Sequence, residues 1–80
     1  MTRTIRAEAV FVSDLQPSER PTPGQVAVAV LASLRAYGGA TGCAAAVAAE
    51  YGEHPETAVA RMRWALSLVD AGAEVTVAAA

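Results

Sequence analysis

The chain has 80 residues, enough for one domain that buries about 60% of the surface its unfolded form exposes, so its core is small and its stability margin thin. Six arginines, no lysine and eight acids leave a net charge of −2, which counts against the basic excess usual in nucleic-acid binders. One cysteine, Cys43, excludes an internal disulfide, and the longest charge-free runs, Pro21 to Leu34 and Ala36 to Ala49, fall short of the ~18 residues a membrane crossing needs.

No hydrophobic region of secretory type follows the basic start, because Glu8 interrupts it. Composition therefore predicts a cytoplasmic protein without a membrane span. Arg3 to Ser13 is rich in β-branched and apolar residues, with Ile5, Ala7, Ala9 and Phe11 alternating against Arg6, Glu8, Val10 and Val12. That period of two predicts a strand. Residues 14–22 carry two prolines and several turn formers and are read as a connector.

Thr22, Pro23 and Gln25 form a capping-box entry to a first helix, expected to run to about Tyr37 and stop at Gly38-Gly39. Val26, Ala27, Val30, Leu31, Leu34 and Tyr37 share one face, yet the reverse face offers Val28, Ala29, Ala32 and Ala36 with only Arg35 charged. A helix so apolar all round is expected to touch protein on two sides. A second, alanine-rich helix is expected from Cys43 to Tyr51, ending at Gly52. The third opens at Pro55, keeps Glu56 in its first turn and ends near Asp70, with Val59, Met62, Leu66 and Val69 as its core stripe, flanked by Ala58 and Ala65. Glu74 to Ala78 alternates as a strand does, and its natural partner is the amino-terminal strand. The expected fold is thus mainly α of α+β type, a single domain of residues 1–80 in the order β-α-α-α-β.

Within the segment Val47-Ala-Ala-Glu-Tyr-Gly-Glu-His-Pro-Glu-Thr-Ala-Val-Ala-Arg-Met62, Gly52 ends one helix and Pro55 restarts the next. Over these twenty or so residues the chain resembles bacterial helix-turn-helix regulators whose turns read Gly-Val-Ser-Pro-Glu-Thr-Val. The resemblance implies a small residue, Ala48, where the helices cross, and a left-handed turn at Gly52. It also implies a recognition helix that presents His54, Glu56, Thr57, Arg61 and Arg63 to double-stranded DNA, with phosphate contacts from Arg35 or Arg20. Against that stand Glu50, Glu53 and Glu56, which put negative charge where phosphates would lie. The alanine-rich composition is also similar to that of small actinobacterial-type proteins, which implies no activity.

The competing expectation is a homodimeric protein-interaction adaptor. On a helical wheel Trp64 lies with Ala60, Ser67 and Ala71, off the core stripe, and with Leu68 it offers an interface anchor of the kind that dominates binding hot spots. No catalytic arrangement is visible: the serines lie in no nucleophile elbow and the single histidine has no spaced partner. One cysteine and one histidine fall short of a structural zinc set. Cys43, near a helix start, is either a thiol activated by the helix dipole or, more commonly for a cysteine among alanines, a small core residue. Gly38 to Gly42 reads as an interhelical turn. No cofactor is implied.

Overall fold

The computed structural model describes the backbone of residues 1–79 and the side-chain surroundings of residues 1–72. Among them are four α-helices and no strand: α1 (Arg3–Phe11), α2 (Pro23–Ala36), α3 (Ala40–Glu53) and α4 (Pro55–Ala79), with a 3-10 turn at Pro17–Glu19 in the connector. The predicted β-α-α-α-β order is therefore corrected to an all-helical one.

The strand expected at Arg3 to Ser13 is helix α1, opened by Thr2, whose Oγ1 accepts a hydrogen bond from the Ile5 N–H at 3.1 Å. A helix of nine residues is too short to persist alone, so its stability comes from packing. It packs against all three other helices, most extensively α4. That central position explains the misleading pattern. Ala7, Val10 and Phe11 follow helical spacing, but Ala9, on the far side, is equally buried, and with Ile5, Ala7 and Phe11 it also reads as an alternation. The second expected strand, Glu74 to Ala78, lies in the last turns of α4, which continues through Gly72. Once the amino-terminal segment is helical, a lone strand there has no ladder to join.

The remaining boundaries follow their local chemistry. Thr22 Oγ1 accepts from the Gln25 N–H at 3.2 Å and the Gln25 side chain accepts from the Thr22 N–H at 2.8 Å, completing the capping box of α2. At the other end Gly38 takes φ +78° and the Gly39 N–H reaches back to the Leu34 carbonyl at 2.7 Å, a Schellman ending with glycine in the left-handed position. This turn delivers α3 onto the end of α2. A Cβ on Gly42 would sit 1.5 Å from the Tyr37 carbonyl oxygen, so only glycine permits the approach.

The core gathers Ala7, Val10 and Phe11 of α1, Val26 and Val30 of α2, Cys43 and Val47 of α3, and Ala58, Ala65 and Val69 of α4. The core stripe of α4 is thus rotated toward one flank of the predicted one: the flanking Ala58 and Ala65 are buried with Val69, Met62 and Leu66 are half-buried, and Val59 is exposed. A bidentate ion pair between Arg3 and Asp70, at 2.7 and 2.9 Å, ties the start of α1 to α4 at the surface. It raises the arginine pKa and holds the Asp70 carboxyl below its ordinary range, chiefly through the hydrogen bond. Screened by solvent, such a pair adds little stability. No single helix among the described residues is long and apolar enough to cross a membrane.

Candidate functional site

Two regions carry chemistry or surface beyond simple packing: the ring of groups around Arg61 and the outer face of α2.

Arg61 lies three residues after Ala58 and four before Ala65, in register with the buried stripe of α4, and its side chain crosses to the end of α1. There Nε donates to the Phe11 carbonyl at 2.6 Å, while Nη2 donates to the carbonyls of Ser13 and Leu15, each at 3.0 Å. These are carbonyls at and beyond a helix carboxy terminus, without intrahelical partners and at the negative end of the dipole, so a guanidinium satisfies both needs. The same group lies 4.8 Å from the Trp64 ring centre and 5.8 Å from that of Phe11, which in turn stacks on Tyr51 at 6.2 Å. Burial lowers the Arg61 pKa.

The residues that the helix-turn-helix resemblance brings forward are placed as follows. Gly52 is inside α3, which runs to Glu53, and Gly38 and Gly39 alone among the glycines take positive φ. His54 by itself links α3 to α4: its N–H donates to the Glu50 carbonyl at 2.7 Å and its carbonyl accepts from the Ala58 N–H at 2.9 Å. Its ring, 4.0 Å from Glu53, is exposed. Ala48, the expected crossing residue, is exposed as well. Thr57, Arg63 and Arg35 are exposed and Arg61 is committed to α1. At 100° per residue Arg63 points about 160° away from Arg61 and shares the outer face of α4 with Glu56, Ser67 and Asp70. The structure does not bring the two arginines together.

Trp64 and Leu68 are half-buried and pack against the core, with the Arg61 guanidinium over the indole. Sequence reasoning missed the structural role of Arg61, although a signal was present: a charged residue sitting between two small residues at core spacing.

Cys43 is fully buried, and its Sγ approaches the Ser33 carbonyl at 3.7 Å. Burial, with a smaller push from Glu8, raises the thiol pKa, the opposite of what the helix dipole alone implies. Alkylation of native protein at neutral pH is expected to proceed only through unfolding, so modification by iodoacetamide should track urea-induced unfolding. A thiol modified quickly in folded protein contradicts this. The sign for stability follows: the unfolded thiol ionises first, so Cys43 lowers stability as pH climbs past its ordinary thiol range and has no effect below it. No group of three or more His, Cys, Asp or Glu suited to a metal ion occurs among the described residues.

The outer face of α2 is the larger feature. Val26, Val30 and Ser33 point inward, which leaves Val28 68% and Leu31 54% exposed on the opposite side with Gly24, Ala27 and Ala32 around them. No charge interrupts the chain from Pro21 to Leu34; Arg35 closes the face at its carboxy end. Beside it runs a cleft of about 760 Å³ between α2 and the connector, walled by Leu15, Glu19 and Pro21 on one side and Gly24, Gln25 and Val28 on the other. A second cleft of about 580 Å³ continues it along α2 to Tyr37. The helix expected to touch protein on two sides is covered on one.

Compared with models of known families, with curated proteins and with solved structures, the chain matches none.

Proposed function

We propose that this chain is a small helical protein-interaction module whose docking surface is the outer face of α2 with the adjoining cleft. The observation that carries the reading is the exposure of Val28 and Leu31 on a helix face with no charge until Arg35. Leaving such side chains in water forgoes roughly 1.5–3 kcal/mol each, a stabilisation that a partner recovers on binding. The rigid frame beneath supports the same use, since the Thr22 capping box and the Gly38 ending hold α2 as a fixed platform.

DNA binding through Arg35, His54, Thr57 and Arg63 has less behind it. Arg63 shares its face with Glu56 and Asp70, Arg61 is spent on α1 carbonyls, and the net charge is −2. Accordingly, mobility shifts at low salt are expected to show no complex at micromolar protein.

A photo-crosslinking residue placed at position 31 tests the proposal against one placed at 67, on the outer face of α4. Protein adducts are expected from position 31 and not from 67. Equal labelling at both positions, or none at either, sinks the assignment of this face.

A further inference from the structure

Resting on that reading, we infer that the partner on the outer face of α2 is a second copy of the same chain, packed with the two α2 helices antiparallel about a twofold axis. An interface of this kind must complement itself, so each residue and its opposite number must suit each other. On α2 the pairing that centres the apolar face sets Val28 level with Leu31 of the other copy. The same register sets Gly24 against Arg35.

The last pair decides the occupant. Arg35 stands at the carboxy end of the exposed face, in line with Val28 and Leu31, and has no ion-pair partner among the described residues. Gly24 at the opposite end has no side chain, and a Cβ there would meet only Thr22 Oγ1, at 3.9 Å. An arginine arriving over Gly24 therefore finds room. It also finds a carboxylate: Glu19 lines the same cleft as Gly24 and Val28, and Arg20 does not. One Glu19 oxygen accepts the Gln16 N–H at 2.7 Å, and the carboxylate forms no ion pair among the described residues. Antiparallel pairing thus supplies two symmetric Arg35–Glu19 bridges at the ends of an apolar strip, with opposed helix dipoles. A parallel arrangement would place Arg35 beside Arg35 and Glu19 beside Glu19.

Three helical turns form an interface at the low end of the size range, below about 1,200 Å² in total, so a weak, concentration-dependent dimer is expected. Sedimentation equilibrium over roughly 10 μM to 1 mM brackets it. Wild type should dimerise, and Arg35→Glu should raise the dissociation constant at least about tenfold, as should Glu19→Gln, which keeps the oxygen that accepts from Gln16. The diagnostic result is an equimolar mixture of Arg35→Glu and Glu19→Arg. Each variant alone sets like charges together, whereas the mixed dimer has opposite charges at both ends and should associate about as well as wild type. Circular dichroism melts establish that each variant remains helical.

A helical wild type that stays monomeric throughout the range overturns self-pairing. If position 31 then still crosslinks to a different protein, the docking face stands and only its occupant is wrong; if it crosslinks to nothing, both fall. A dimer indifferent to the charge reversals, or one that mixing does not restore, overturns the antiparallel register.

Discussion

Arg61→Ala is expected to destabilise the protein by about 2–4 kcal/mol, seen in urea unfolding as a lower midpoint, with melting lowered on the order of 15 °C for a domain of this size. The substitution strips the donors from three backbone carbonyls, of Phe11, Ser13 and Leu15, and removes the cation over Trp64. Unsatisfied carbonyls near a core cost more than the bonds themselves contribute, although solvent reaches part of this site. Arg61→Lys should recover less than half of the loss. Its single ammonium cannot bridge three carbonyls spread over five residues as a planar guanidinium does. Arg63→Ala, on the exposed outer face, should change stability by no more than about 0.5 kcal/mol. Equal effects of the two alanine substitutions would refute the structural role of Arg61. The contrast also bears on DNA: loss of binding in Arg61→Ala would reflect unfolding, so Arg63→Ala is the informative variant.

Gly42→Ala carries the second large effect. Alanine is the better helix former by about 1 kcal/mol, and in an open helical site the change should stabilise. Here the new methyl would fall 1.5 Å from the Tyr37 carbonyl oxygen and 2.6 Å from its carbon, both backbone atoms held by the ending of α2. Separating α2 from α3 far enough to relieve the overlap disturbs the packing of Cys43 and Val30. A net loss of about 3 kcal/mol or more is expected. Gly52→Ala is the matched control, because that glycine is helical with open space around it, and it should be neutral or stabilising by up to about 1 kcal/mol. Thermal melts of both variants decide the matter. Strong destabilisation by Gly52→Ala would mean that Gly52 needs a left-handed backbone after all, as a helix-turn-helix turn requires.

How far the fold was legible depended on whether its signals were local. Thr22, Pro23 and Gln25 act within one turn of chain, and so the start of α2 was readable to the residue. Gly38-Gly39 likewise marked its end. Thr2 caps α1 with a single side-chain hydrogen bond, a local signal that the reading of an alternation from Ile5 to Phe11 passed over. The segment satisfies both periods at once, because Ala7, Val10 and Phe11 recur at helical spacing while Ala9, buried as well, completes an alternation with Ile5, Ala7 and Phe11. The Gly52 to Thr57 segment shows the converse. Gly52 and Pro55 correctly marked a helix junction, yet the break is His54 alone, and the glycine expected to turn left is an ordinary helical residue.

The candidate site divides the same way. An apolar strip on α2 was visible in a charge-free run, since one helix determines which of its own residues share a face. Which strip faced inward was not, because Val26, Val30, Leu31 and Val28 are chemically alike and the choice rests on where α1 and α3 sit. The partners of Arg61 lie 46 to 50 residues away along the chain, and no local pattern joins a guanidinium to carbonyls so distant. Composition and capping chemistry therefore determined by themselves where α2 starts and ends, that α4 opens at Pro55 and that the core is small and alanine-rich, but not that Arg3–Phe11 and the last turns of α4 are helical. Assembly of those helices around α1 decided which faces are buried and what Arg61 does, and left Val28 and Leu31 in water. Burial and long-range hydrogen bonding are properties of the packed set, and no segment carries them alone.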